Sequence, residues 1–268
     1  MTVRQLRPTL TAMPLQAFDL TGRSALVTGA ADGIGRATAV LLAVAGAAVT
    51  CADIDGEGAK ATAEEITAGG GAAEPVLVDV ADRAQVADAV ARTVEVHGRL
   101  DIAANIAGVM HRSRVLDTRD ADLDRVLAVN FKGVLHGCQE AGRVMAGQGF
   151  GSIVNMASGA IDSGTAGLLC YSVAKAAVVQ LTRTLATELG GSGVRVNAVA
   201  PGWVRTAMTR HDDDPENSFE EVMRRMAPLG RVGEPDDIAS AVLYLACDAS
   251  SFTTGQILRP NGGVAMPW

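Results

Sequence analysis

One pattern constrains this chain more than any other. Short, nearly unbroken apolar runs alternate with longer stretches of helical periodicity from one end to the other. SALVT (Ser24–Thr28) reads as a strand, Ile34–Ala45 as a helix and Ala47–Ala52 as a strand. A helix is expected near Gly56–Thr67 and a strand near Glu74–Val78. Over Asp82–His97, Val86, Val90 and Val94 share one stripe behind an Asp N-cap, which predicts a helix. Further strands are expected at Asp101–Ile106, Ser152–Met156, Val194–Val199 and Gln256–Leu258, and helices at Asp120–Ala128, Phe131–Ala146, Ser172–Gly190 and Pro235–Cys247. Strands this apolar have no face to give to water, so they need cover on both sides, and repeated β-α connections then imply a parallel sheet. The expected fold is a single doubly wound α/β domain over residues 18–268, with a seven-stranded parallel sheet and helices on both faces.

Two regions stand outside this rhythm. Residues 1–17 contain arginines and prolines before an apolar core of about 7–15 residues can develop, so we expect an N-terminal arm and no secretory signal. Pro201–Gly230 is rich in Asp, Met and Arg, and an irregular segment of that length predicts a lid over a site (about 201–230). The uncharged run Ala37–Ala52 is too short to span a bilayer and divides into a helix and a strand, so no membrane partner is expected. A formal charge of −7 with scattered arginines excludes the basic face that nucleic acid requires. Cys51, Cys138, Cys170 and Cys247 are far apart, and the four histidines lack ligand spacing, so no metal is expected. Free thiols suit a reducing cytoplasm, the expected location.

The first strand runs directly into TGAADGIG, with Gly29, Gly33 and Gly35. A strand, a glycine turn and a helix start together present backbone N–H groups to a pyrophosphate. The second strand is followed by Asp53, eighteen residues beyond Gly35. A carboxylate there can accept hydrogen bonds from ribose hydroxyls and would repel a 2′-phosphate, which favours NAD over NADP. Asp79, at the end of the third strand, stands where an adenine edge would pass and is equally a strand-end turn or N-cap. Further along, YSVAK places one of only two tyrosines, Tyr171, four positions before Lys175. On a helix the phenol and the ammonium share a face.

TGAADGIG, NIAG (Asn105–Gly108), Asn130, Ser158, YSVAK and PGWVRT (Pro201–Thr206) occur in the order of the short-chain dehydrogenase/reductases, and the chain resembles the short, single-domain branch of that family over residues 18–263. The resemblance implies a Rossmann-type fold and a catalytic tetrad of Asn130, Ser158, Tyr171 and Lys175. Tyr171 would be the general acid/base, its phenol lowered from about 10 by the lysine and by a cationic nicotinamide. Ser158 would hydrogen-bond the substrate oxygen; of the serines around it, only its thirteen-residue distance from Tyr171 selects it. Asn130, set in Asn130-Phe-Lys-Gly133, would hold a water on a proton path from the lysine. Implied cofactor contacts are Gly29, Asp32, Gly33, Ile34, Gly35 and Asp53, then Asp79, Val80, Asn105, Ala107 and Gly108. Tyr171, Lys175, Pro201, Gly202, Val204 and Thr206 complete the set.

By the same resemblance the partners are a small-molecule secondary alcohol or ketone and, in a homotetramer, further copies of the chain. Trp203, Met208, Phe219, Met223 and Met226 suggest an apolar pocket wall, and His211–Glu216 an acidic edge. Met110 and His111 either line the site or lie on a surface loop. Two alternatives stay open: a 3-oxoacyl carrier-protein reductase, and an NAD-binding sensor or scaffold without turnover. Ile106 in NIAG and the ending RPNGG depart from the family pattern, and neither touches the tetrad.

Overall fold

The computed structural model of the protein describes residues 16–209 and 219–267. All but the last two residues of the expected N-terminal arm, and the acidic stretch His211–Glu216, lie outside the described residues. The strands are β1 (Ser24–Thr28), β2 (Ala48–Asp53), β3 (Ala72–Leu77), β4 (Ile102–Asn105), β5 (Gly151–Met156), β6 (Val194–Val199) and β7 (Ile257–Leu258). They form one seven-stranded sheet in the order β3-β2-β1-β4-β5-β6-β7, and every pairing is parallel. β1 and β5 are buried along their whole length, as strands covered on both faces must be. Pro75, which cannot donate to a ladder, sits in the edge strand β3.

The helices are α1 (Gly33–Val44), α2 (Gly56–Ala68), α3 (Arg83–His97), α4 (Asp120–Leu127), α5 (Val134–Gln148), α6 (Leu169–Leu189), α7 (Phe219–Met226) and α8 (Pro235–Ala246). α3 follows its sequence closely. Asp82 caps it by accepting the Ala84 N–H at 2.8 Å, Gly98 ends it in the left-handed region, and Val86 and Val90 are buried. Burying such side chains contributes about 1.5–3 kcal/mol each. One apolar core joins α1 and α8 to one face of the sheet, and a second joins α3, α5 and α6 to the other. The strand order reverses between β1 and β4, so the carboxyl ends of these strands open a crevice there.

Two expectations need correction. The segment 201–230 is not irregular throughout: a 3₁₀ turn (Ala207–Thr209) and α7 lie within it. Glu220 and Glu221 open α7 and Arg224 and Arg225 close it, with Glu221 paired to both arginines, which suits the helix dipole. The helix expected from Phe131 begins as α5 at Val134, preceded by a π-helical turn, Ala128–Gly133, that joins it to α4. Asn130 lies in that turn, and π turns recur at functional sites because they re-aim side chains.

Candidate active site

A cleft of about 430 Å³ follows the carboxyl ends of β1, β2 and β4. Its first wall is backbone. A Cβ on Gly35 would overlap the Gly29 carbonyl oxygen, and one on Gly29 (φ +74°) would lie 2.8 Å from the Ala107 nitrogen. Only glycine lets α1 close onto the loop and the loop onto β4. Asp32, the N-cap of α1, makes no side-chain capping bond, and Gly33, Ile34 and Gly35 at that helix start line the cleft, with the Thr206 side chain packed beside Gly33.

Asp53 is anchored rather than free to swing. One carboxylate oxygen accepts the Ala31 N–H at 2.9 Å and the other the Asp55 N–H at 3.0 Å. The acid is thereby tied to the glycine loop and still lines the cleft. Asp79 follows its strand-end turn reading, its carboxylate accepting the Ala81 N–H at 2.9 Å, and it lines the cleft beside Val80.

The opposite wall is built of buried side chains. Asn130 is wholly buried; its Oδ1 accepts the Val109 N–H and its Nδ2 donates to the Val109 carbonyl, both at 2.8 Å. Lys175 is 1% exposed, and its Nζ donates to the Met156 carbonyl at 2.8 Å. A Cβ on Gly108 would be 3.3 Å from Asn130 Oδ1 and 3.6 Å from Lys175 Nζ, so the two converge on that glycine. Lys175 Nζ lies 5.6 Å from the centre of the Tyr171 ring, which fulfils the i, i+4 expectation on α6. Ser158, just after β5, accepts the Ala160 N–H at 3.2 Å, and its hydroxyl acts on the Tyr171 phenol in the direction that favours phenolate.

Burial dominates the ionisation of this wall. It pushes Lys175 down from 10.5 to about 8, because an ammonium loses its hydration there. It also pushes the Tyr171 phenol above its ordinary value, with the Ser158 hydrogen bond pulling the other way. The expected lowering is thus corrected in sign for the protein's own groups: burial raises the phenol, and the opposing pull comes from Ser158. Cys51 and Cys138 are buried and pushed up to about 12, which keeps them protonated thiols.

The structure brings Gly29, Asp32, Gly33, Ile34, Gly35, Asp53, Asp79, Val80, Ala107, Gly108, Tyr171, Lys175 and Thr206 to one cleft. It does not bring Asn105, Asn130 or Ser158 into the lining: the Asn105 amide is buried and donates to Asn155 at 2.9 Å, Asn130 is buried behind Val109, and Ser158 stands behind Tyr171 at the head of its turn. Pro201, Gly202 and Val204 stand behind the lining, with Val204 bridged to Gly233 and the Pro201 carbonyl accepting the Gly159 N–H. Ile54, Val78, Ile106, Val109, Val129 and Met156 line the cleft without having been expected. Each is an apolar residue in or beside the strand ends and turns, so only adjacency to a motif could have marked it. Of the expected apolar wall, Met208 lines this cleft, whereas Trp203 and Met223 line a neighbouring cavity of about 180 Å³. Met110 and His111 do not line it; His111 lies 3.7 Å from Asp122. Among the described residues there is no cluster able to hold a metal ion, and no helix is long and apolar enough to cross a membrane.

A family model described as enoyl-(acyl carrier protein) reductase matches residues 29–265. The 3-oxoacyl-(acyl-carrier-protein) reductase of Thermotoga maritima is 39% identical, over 92% of this chain and 99% of its own. Among solved structures, a 7α-hydroxysteroid dehydrogenase complexed with NADH and 7-oxo glycochenodeoxycholic acid superposes with a TM-score of 0.88 at 33% identity, covering 92% of this chain and 96% of that one. A gluconate 5-dehydrogenase from Burkholderia cenocepacia, in complex with NADP and tartrate, gives 0.89 at 34% identity, covering 94% and 98%. The chain belongs to the short-chain dehydrogenase/reductase family, a family of oxidoreductases.

Proposed function

We propose that this protein is an NAD(H)-dependent oxidoreductase that interconverts a secondary alcohol and its ketone. The observation that carries the reading is the pairing of Tyr171 and Lys175 on the far wall of a cleft, with Ser158 acting on the phenol from behind that lining, opposite a near wall made of a glycine loop with an anchored Asp53. The residues present fit a dinucleotide: Gly33–Gly35 for the pyrophosphate, Asp53 for the adenosine ribose, and Lys175 for the nicotinamide ribose. Thr206 would meet the carboxamide. When bound, the nicotinamide supplies the hydride acceptor or donor and a positive charge that favours phenolate.

Tyr171 removes the hydroxyl proton during oxidation and returns it to the carbonyl oxygen during reduction. Ser158 donates to that oxygen as charge develops on it. Asn130 fixes Val109 and Gly108 against the lysine, so the ammonium stays beside the phenol. Because solved relatives hold both NADH and NADP, the preference for NAD rests on Asp53 in this chain. Met208 in the cleft lining supports a hydrophobic or cyclic alcohol. A homotetramer joined through α5, α6 and the C-terminal segment is supported by exposed apolar residues on the last two, Val173 and Leu258 among them. A lid over residues 201–230 and a cytoplasmic location complete the reading.

A 3-oxoacyl carrier-protein reductase is the second reading, favoured by the Thermotoga relative. The end of α6 runs into Gly190-Gly-Ser-Gly193, which offers no cation to an acidic carrier protein. NADH formation across a panel of secondary alcohols, with a phosphosugar and a 3-hydroxyacyl thioester included, tests the proposal. Preference for an apolar alcohol is expected; preference for the thioester with NADP would establish the second reading, and no turnover with any would favour a sensor or scaffold.

A further inference from the structure

The carboxyl ends of β5, β6 and β7 lead into three turns that close on one another. After β5, Ser158 caps the turn Gly159–Asp162, and the Gly159 N–H donates to the Pro201 carbonyl at 2.8 Å. After β6, the Gly202 N–H donates to the Pro260 carbonyl at 3.1 Å, and a Cβ on Gly202 would lie 2.8 Å from Asn261 Cα. After β7, Arg259 reaches back to the first turn. Its Nε donates to Asp162 Oδ2 at 2.8 Å and its Nη2 to Oδ1 at 3.3 Å, while Nη1 donates to the Ile257 carbonyl at 3.1 Å.

This ion pair differs from those on the surface. The Asp162 side chain is 9% exposed and that of Arg259 25%, whereas Arg224 in α7 is 47% exposed. Exposed pairs are screened and contribute little, but a forked pair largely removed from water holds its partners in one geometry. The turn needs such a hold. Its remaining residues, Gly159, Ala160 and Ile161, carry no polar side chain, and the Ser158 hydroxyl has only the 3.2 Å contact with Ala160 N–H inside the turn. Backbone bonds from Ala157 to Val199 and from Gly159 to Pro201, both 2.8 Å, fix the chain on either side of Ser158, and the ion pair fixes the far end of the same turn at Asp162.

We propose that Asp162 and Arg259 are positioning residues, whose ion pair closes the ring of three turns and holds Ser158 against the Tyr171 phenol. The proposal rests on the reading of Ser158 and Tyr171 given above. Arg259, the first residue of RPNGG, supplies the clamp. Loss of the clamp leaves the glycine loop and Asp53 untouched, so it should affect chemistry and spare cofactor affinity. It should also move the phenol. The Ser158 bond lowers Tyr171, so displacing Ser158 raises the pH at which the base forms. The nearest charge on the phenol's own helix, Lys175, is unchanged by the substitution.

The test uses the full chain. Arg259→Gln and Asp162→Asn are expected to lose roughly 10- to 100-fold in kcat, the scale for small misplacements of a catalytic group. NADH affinity should hold, and the basic limb of the oxidation pH profile should move to higher pH. The exchange variant Asp162→Arg with Arg259→Asp should recover much of kcat and return the limb. Ser158→Ala and Tyr171→Phe run beside them as controls. An active Tyr171→Phe would overturn the reading of the site itself. Impaired controls beside an unimpaired Arg259→Gln would overturn the clamp alone. So would a loss of kcat that tracks thermal stability, with no movement of the pH limb and no recovery on exchange.

Discussion

The two walls of the cleft are built by opposite means. The β1–β2 wall is backbone: a loop that tolerates no Cβ at Gly35, a helix N-terminus without a side-chain capping bond and one anchored carboxylate. The β4–β5 wall is side chain: a buried amide, a buried ammonium and a phenol pushed up by desolvation. The first wall is rigid because its atoms are in van der Waals contact. The second is costly, because polar groups have been taken out of water to meet one another. Binding and chemistry are thereby separated, and each wall should fail in its own way.

The largest effect is expected from Gly35→Ala. The new Cβ would overlap the Gly29 carbonyl, a backbone atom with no side chain to give way, so α1 must move off the loop. NADH affinity should fall by at least about 10²-fold, or about 2.7 kcal/mol, as read by fluorescence titration. Near-normal binding would show that the loop does not hold the cofactor.

Lys175→Met probes the other wall through stability. The fall from 10.5 to about 8 corresponds to roughly 3 kcal/mol against folding at neutral pH. The sign follows from proton counting. Between about 8 and 10.5 the unfolded chain binds the lysine proton and the folded one does not, so wild-type stability rises with pH across that window. The variant lacks this group, and wild type should gain on it by up to that amount. Denaturant melts at several pH values would reveal it; a difference that stays constant would mean the ammonium is better solvated than its burial indicates.

A somewhat smaller effect belongs to Asp53→Ala. Wild type should favour NAD over NADP by about 10²-fold in kcat/KM, or roughly 2.7 kcal/mol. The variant should lose most of that preference, and Arg at position 54 in the same background should reverse part of it. Equal use of both cofactors by wild type would mean that Asp53 faces away from the ribose. The smallest effect is slower hydrogen exchange over 206–209 and 219–230 when NAD and a product analogue bind, as closure of a lid requires. Unchanged protection there would remove the lid and leave the two walls as described.

The backbone wall was the more legible of the two. TGAADGIG and Asp53 are local signals, and their geometry follows from a strand entering a glycine turn. The seven strands were legible for a similar reason, since apolar runs in a doubly covered sheet are read one at a time. The side-chain wall depended on contacts distant in sequence. No periodicity shows that Asn130 sits in a π turn and grips Val109, or that Asn105 turns away to Asn155. α7 went unread because its eight residues carry charges that look like loop composition, and its pairing of Glu221 with Arg224 and Arg225 counts only once the helix exists. The sign of the Tyr171 shift was missed because sequence shows a lysine four residues away and does not show how much water is excluded.

The central claim is that Tyr171 carries the proton while the opposite wall holds the cofactor. Tyr171→Phe keeps the ring and its packing and removes only the hydroxyl. Turnover of the best alcohol and NADH affinity should be measured on the same preparation of this variant. The account predicts a loss of about 10²–10⁴-fold in kcat with NADH affinity essentially unchanged. A loss smaller than about tenfold, or a parallel loss of NADH binding, would contradict it.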